Sequence, residues 1–112
     1  MAETFNNASV KLTTTNATDL YQAPTGAATD RAIVLSCIVA NVDGTNAAGI
    51  TITLTDGSDA VLSTLASTVS VPADASLEIV ANKVVMKQSQ KLRATATAAD
   101  DLEITVSALE IT

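Results

Sequence analysis

The residue types that carry most enzyme chemistry are scarce in this chain. Its 112 residues include no His and no Trp, and only one Cys, one Tyr and one Phe. Cys37 lies inside the apolar run at 33–40, and a nucleophilic cysteine needs a His or another activating group beside it. We therefore expect Cys37 to be a buried structural residue. We expect no catalytic residue, and hence no enzymatic activity.

Acidic loops are the next candidates for chemistry, because clustered carboxylates can bind calcium. Asp43-Gly44 follows one apolar segment, and a second cluster runs from Asp56 to Asp59. Neither cluster has the spacing of an EF-hand loop, which needs several oxygen ligands and a distant bidentate Glu. Asp and Gly in such short loops are typical of ordinary turns. The sequence therefore predicts no metal site and no cofactor.

Most of the basic residues fall within one short span. Lys and Arg number six in the whole chain, and four of them are Lys83, Lys87, Lys91 and Arg93. One interpretation is a solvated sheet edge whose Lys side chains block unwanted strand pairing. The other is an electrostatic contact with an acidic partner protein. The span has no aromatic residue, so we do not expect it to bind single-stranded nucleic acid.

The overall charge indicates which kinds of molecule the protein can bind. The net charge is −6 at pH 7, which repels nucleic acid and anionic membranes. No apolar stretch reaches the ~18 residues that a membrane-spanning helix needs. The first residues also lack the basic-then-apolar order of a signal peptide. We therefore expect protein partners, with no contact to nucleic acid or membrane.

The elements that position these residues are predicted to be β-strands. Apolar residues alternate with polar ones along 50–55, 91–97 and 102–107, which is the period of a half-buried strand. The run at 32–40 is apolar on both faces and is predicted to be a central strand. Turn signals separate these runs at the spacing of a sandwich. The sequence predicts an all-β antiparallel β-sandwich, jelly-roll or immunoglobulin-like, with about eight or nine strands at 9–15, 18–23, 31–42, 49–55, 60–71, 76–81, 83–87, 91–98 and 102–111.

The chain divides into a short arm and one domain. Residues 1–9 show no alternation and are predicted to form a flexible N-terminal arm, with 10–112 as a single β-sandwich domain. Thr4 and Phe5 lie in that arm, and an apolar ring on a polar arm suits an anchor into a neighbouring chain. Aromatic residues make up only 2% of the chain, so the core must be thin and aliphatic. We therefore expect partner chains to bury further surface.

Six short motifs along the chain resemble those of small virion proteins of tailed bacteriophages. The resemblance covers most of the chain from about residue 13, and it rests on the order and spacing of the motifs. They are Leu-Tyr-Gln-Ala-Pro-Thr-Gly at 20–26, Ala-Ile-Val-Leu at 32–35, Val-Ala-Asn-Val-Asp-Gly-Thr at 39–45, Val-Pro-Ala at 71–73, Lys-Leu-Arg-Ala at 91–94 and Val-Ser-Ala-Leu-Glu-Ile at 106–111. Similar proteins often have a Gly-acidic turn before the strand that holds Leu92, whereas this chain has Lys-Gln-Ser-Gln at 87–90.

The resemblance implies a small β-sandwich used in virion architecture. The interpretation that fits best is a capsid decoration or cement protein on the outer head surface, assembled in the host cytoplasm. Its partners would be the major capsid protein or other virion proteins, and it would form a homo-oligomer, with a trimer favoured. One alternative is a subunit of the neck, tail or fibre base. Another is a carbohydrate-binding adhesion module, although sugar sites usually present more aromatic rings than this chain has.

Overall fold

Two antiparallel sheets form the fold in the computed structural model, which describes residues 2–112. The nine strands are β1 (Glu3–Lys11), β2 (Thr18–Gln22), β3 (Arg31–Asn41), β4 (Ala48–Thr55), β5 (Val61–Val71), β6 (Ser76–Glu78), β7 (Val84–Lys87), β8 (Lys91–Ala96) and β9 (Leu102–Ile111). The first sheet has the order β1-β9-β3-β6, with β7 also pairing with β3, and the second has the order β2-β8-β4-β5. The prediction of an all-β antiparallel sandwich is confirmed. No helix among the described residues is long and apolar enough to cross a membrane.

The core between the sheets is aliphatic, as the composition predicts. Ile50 and Ile52 on β4 are fully buried, and they pair across the sheet with alanines on β8. Leu92 on β8 and Ile104 on β9 are also buried. Each fully buried aliphatic side chain of this size contributes about 1.5–3 kcal/mol to folding. The alternation of apolar and polar residues along 50–53 therefore determines which face of β4 packs into the core.

A bulge in β3 changes which of its side chains face the core. The pairing with β9 shifts register between Val34 and Ser36, so an extra residue, Leu35, is inserted. Val34 is buried before the bulge and Cys37 is buried after it. The opposite face has no third layer over it, and Leu35 and Ile38 there remain 37% and 42% exposed. The doubly apolar run is therefore a central strand, but only one of its faces is buried.

Residues 3–9 differ from the flexible arm that the sequence predicts. They belong to β1, which pairs with β9 in one unbroken register from Glu3–Ile111 to Lys11–Glu103. Backbone hydrogen bonds hold this edge strand, and most of its side chains are exposed on both sides. Because most of the strand is not buried on either face, its sequence does not alternate between apolar and polar residues. The expected boundary between residues 9 and 10 is corrected accordingly, and Met1 lies outside the described residues.

A buried amide side chain links the two sheets at one end of the sandwich. Asn41, at the end of β3, donates from Nδ2 to the Val71 carbonyl on β5 at 2.9 Å and to the Asn46 carbonyl at 3.0 Å. Its Oδ1 accepts the Asp43 N–H at 2.9 Å. A polar side chain that is only 3% exposed needs such partners, because burying it unpaired is costly. Asn41 therefore joins the motif at 39–45 to the motif at 71–73.

A tyrosine makes a second polar link between the sheets. The Tyr21 hydroxyl on β2 donates to Glu110 Oε2 on β9 at 2.5 Å. Burial, followed by the hydrogen bond to the Glu110 carboxylate, raises the pKa of Tyr21 well above its ordinary value. The same carboxylate oxygen accepts from Asn6 Nδ2 on β1 at 3.3 Å. The contact joins the motif at 20–26 to the motif at 106–111.

Candidate functional site

The outer face of the second sheet is polar and carries an ion-pair network. Lys91 Nζ lies 3.0 Å from Asp59 Oδ1 and 3.2 Å from Asp19 Oδ2. Arg93 Nε lies 2.7 Å from Asp19 Oδ1. Partial burial alone would raise the pKa of Asp19, but hydrogen bonds from Arg93 and Lys91 hold it below its ordinary value. These two basic side chains are therefore already paired with carboxylates of their own chain.

The structure does not bring the four predicted basic residues together. Lys91 and Arg93 lie on β8, an interior strand, so they cannot protect a sheet edge. Lys83 lies in the loop before β7 and Lys87 at the end of β7, and both are exposed at the edge of the other sheet. The segment that is continuous in sequence crosses from one sheet to the other between Lys87 and Lys91. The four residues therefore do not lie on one sheet, and their contact with a partner protein stays a prediction.

The outer face of the first sheet is apolar in its middle. Phe5 on β1 lies opposite Leu109 on β9, Leu109 lies opposite Ile33 on β3, and Ile33 lies opposite Val85 on β7. This row crosses four strands, and its two end members, Phe5 and Val85, are 77% and 60% exposed. Directly opposed residues of antiparallel strands project from the same face. The four side chains therefore form one continuous apolar strip.

Two residues of β3 extend this strip into a wider surface. Leu35 and Ile38 point outward on the same side, and a shallow depression of about 330 Å³ lies between Phe5 and Leu35. We name Phe5, Ile33, Leu35, Ile38, Val85 and Leu109 the apolar face. The sequence predicts a partner contact at Thr4 and Phe5, and the structure places only Phe5 on the apolar face. Thr4, next to it in a strand, projects to the opposite side.

The sequence-based prediction of contact residues includes only Phe5 of the apolar face. A signal for the rest is present in the sequence, since a run such as Val84-Val85-Met86 is apolar at three successive positions. In a strand, successive side chains point to opposite faces, so such a run must place one apolar residue on the outside of a two-layer fold. Met86 is buried and Val85 is exposed, as this rule requires.

The Asp side chains of the acidic loops accept hydrogen bonds from backbone N–H groups of the same loops. Asp43 Oδ1 accepts the N–H groups of Thr45 at 2.8 Å and Asn46 at 3.2 Å, and these bonds lower the pKa of Asp43. Asp56 Oδ1 accepts from Ser58 at 2.8 Å and Ala60 at 3.0 Å. Across residues 2–112 there is no group of three or more His, Cys, Asp or Glu side chains arranged to hold a metal. The loop carboxylates therefore act as turn caps.

Cys37 is expected to resist thiol reagents in the folded protein. Its side chain is fully buried, and burial, with a contribution from the Glu78 carboxylate, raises the pKa of the thiol to about 12. The thiolate is the reactive form, so labelling should be at least about a hundredfold slower in the native protein than in denaturant. Reaction with a chromogenic disulfide reagent measures both rates. Rapid labelling of the folded protein would contradict the structural role.

Comparison with known proteins identifies similar folds. No protein-family model matches the chain, and no curated protein matches it. A chain from the disulfide-linked pili of Bacillus endospore appendages is 14% identical, with 98% of this chain and 88% of that chain covered and a TM-score of 0.58. A chain from the capsid structure of Helicobacter pylori bacteriophage KHP30 is 11% identical, with 100% and 89% covered and a TM-score of 0.55.

A larger viral chain contains the same fold as one part. A chain from the T13 particle of infectious bursal disease virus is 11% identical, with 97% of this chain but 31% of that chain covered and a TM-score of 0.54. This chain therefore spans about a third of the length of that viral protein. At these identities the likeness shows the fold alone. The nine-stranded sandwich is a fold that this chain shares with chains from a bacterial pilus and from two viral particles.

Proposed function

We propose that this protein is a non-enzymatic virion structural protein that decorates the outer head surface of a tailed bacteriophage and stabilises its shell. The observation that carries the proposal is the apolar face on one sheet, set against the ion-paired, threonine-bearing face of the other. The motif resemblance to small virion proteins supports it. The nearly full-length likeness to a chain of a phage capsid structure supports it as well.

The apolar face suits attachment to a shell protein. It spans four strands, so its outer strands lie about 14 Å apart at ~4.8 Å per strand spacing. An exposed apolar patch of this kind is uncommon on a monomeric protein and often marks an interaction site. Burying Phe5 and Val85, the two most exposed of its members, would remove the largest single areas of apolar surface from water.

The net charge of the protein supports a position on the outside of the head. The net charge of −6 disfavours contact with packaged DNA, so the outer surface of a head suits the protein better than the inner one. With the apolar face on the shell, the outer face of the second sheet points to solvent. There, Lys91 and Arg93 are neutralised by Asp19 and Asp59 and need no partner.

Purified protein is expected to bind heads of its own phage through the apolar face. Val85→Asp should weaken binding at least tenfold, because it places a charge within the buried contact. Thr95→Asp on the outer face of β8 is the matched control and should bind normally. Binding should survive moderate salt, since screening weakens exposed charge pairs and leaves apolar contacts. Co-sedimentation with heads measures the affinity and the copy number.

The copy number separates decoration from the main alternative. Decoration requires a number of copies equal to that of the capsid subunit or a simple fraction of it. Six or twelve copies at one vertex would instead identify a neck, tail or fibre-base subunit. The likeness to a pilus chain favours that alternative as the second candidate, because a pilus is a polymer of repeated subunits. Equal binding by Val85→Asp and the unaltered protein would contradict the proposed docking face.

A further inference from the structure

Three of the four sheet edges carry features that discourage pairing with another strand. β5 shifts register against β4 at three places, and Thr68 within it has a φ of 50°. β2 has five residues and a register shift between Asp19 and Tyr21. β6 and β7 are separate short strands along the same edge of β3. Bulges, short strands and interruptions of this kind protect edges from strand addition.

The interruption between β6 and β7 is filled by a side chain. Glu78 Oε2 accepts the Cys37 N–H at 2.8 Å and the Val80 N–H at 3.2 Å. The carboxylate therefore takes the hydrogen-bonding position that a continuous strand would occupy beside β3. The edge beside β3 is therefore made of two short strands with a side-chain contact between them, and it offers no long continuous strand for pairing.

β1 is the exception among the four edges. It is nine residues long, contains no Gly or Pro and pairs with β9 without any register shift. Ala2 and Thr112, one step beyond its end, exchange hydrogen bonds of 2.7 and 2.9 Å. In an antiparallel pair such exchange recurs at every second residue, so the even-numbered residues of β1 bond to β9.

The odd-numbered residues of β1 consequently direct their backbone groups away from the sheet. These residues are Glu3, Phe5, Asn7, Ser9 and Lys11. The Asn7 N–H is bonded to Asn6 Oδ1 at 2.9 Å, an exposed local contact that an incoming strand can replace. The edge carries a negative charge at one end, a positive charge at the other and an asparagine at its centre.

We propose that β1 pairs antiparallel with β1 of a second copy of this chain, around a two-fold axis at Asn7. In this register Glu3 lies opposite the partner's Lys11, and Phe5 lies opposite the partner's Ser9. All five outward-facing residues of each strand take part, and both charged ends meet an opposite charge. Shifting the strands by two residues in either direction leaves residues unpaired and separates Glu3 from Lys11. Charge and backbone pattern therefore select the same register.

The pairing has a geometric consequence for the apolar face. A two-fold axis perpendicular to the sheet keeps the outer faces of both copies on the same side. The two first sheets join into one continuous sheet, and the two apolar faces lie side by side on it. Strand addition of this kind takes its affinity from main-chain hydrogen bonds. The inference does not depend on the proposed virion role, since it concerns the isolated protein.

A cysteine at the axis tests the register directly. In Asn7→Cys the two new residues face each other with Cα atoms ~5.5 Å apart, which is within the range of a disulfide. We expect a covalent dimer under mild oxidation. The matched control is Ser9→Cys, whose two copies would be offset by four residues, or roughly 14 Å at ~3.4 Å per residue. Cys37 is buried and does not interfere. Crosslinking of Ser9→Cys without Asn7→Cys would overturn the register.

Charge reversal tests the same pairing without a covalent bond. Lys11→Glu should weaken the dimer about tenfold, because two symmetric cross-strand pairs become repulsive. The double variant Glu3→Lys, Lys11→Glu restores opposite charges across the axis and should recover the affinity. Lys11 also lies opposite Glu103 on β9, so thermal melting must show that each variant is folded. Sedimentation equilibrium gives the mass. A monomer at all concentrations, or a trimer, would overturn the proposal.

Discussion

Ile52→Asp is expected to leave the chain unfolded. Ile52 is fully buried in the middle of β4, between Ala94 on β8 and Ala66 on β5. No Lys or Arg among residues 2–112 is buried in the core, so the new carboxylate would be unpaired. An unpaired buried charge costs several kcal/mol or more, against a total stability of about 5–15 kcal/mol for a domain. Circular dichroism should show the loss of sheet structure.

Two neighbouring changes make this result specific. Ile52→Val keeps the chemistry and removes one methylene, so it should cost only about 0.5–1.5 kcal/mol. Thr53→Asp introduces the same charge one residue along, where the side chain faces outward and lies opposite Arg93. It should remain folded with a melting temperature close to that of the unaltered protein. Equal damage at positions 52 and 53 would show that both faces of β4 are covered.

Asn41→Leu is expected to lower the free energy of unfolding by about 3–5 kcal/mol. The change removes three hydrogen bonds and leaves the buried Val71 carbonyl and the partly buried Asp43 N–H unpaired. Each buried group left without a partner costs about 1–3 kcal/mol. Because the amide spans the two sheets, its loss also releases the end of β5. Urea denaturation followed by circular dichroism measures the change.

The neighbouring Asn46 provides the control for that experiment. It accepts from Asn41 through its backbone carbonyl, while its own side chain is exposed and reaches Asp43 Oδ2 only at 3.5 Å. Asn46→Ala therefore keeps the inter-sheet bond and should cost less than about 0.5 kcal/mol. A cost below about 1 kcal/mol for Asn41→Leu would mean that the amide is not needed to hold the sheets together.

Strands that bury one face could be predicted from the sequence, whereas most of β1 could not. The predicted strand at 102–111 matches β9, and 49–55 differs from β4 by one residue. In both, one face packs into the core and imposes alternation. β1 packs little surface, so its sequence has no such pattern. Its position follows from backbone hydrogen bonds to β9, which any residue except Pro can make.

The candidate site depended on information that is not local in the sequence. The bulge at Leu35 determines which residues of β3 become exposed, and nothing in the run at 32–40 specifies where it occurs. The apolar face also combines residues from four strands that are distant in the chain. Contacts in the structure do explain the order of the motifs that carry the family resemblance. Asn41 joins two of them and the Tyr21–Glu110 bond joins two others, so their order reflects contacts that close the sandwich.

The Tyr21–Glu110 bond also gives the protein a built-in optical signal. The chain has no Trp, so its single tyrosine supplies its intrinsic fluorescence almost alone. A phenol that donates to a carboxylate emits weakly, because the excited ring transfers its proton readily. Separation of the sheets breaks the bond between β2 and β9 and should release that quenching. Opening of the sandwich can thus be followed by the fluorescence of Tyr21, without attaching a dye.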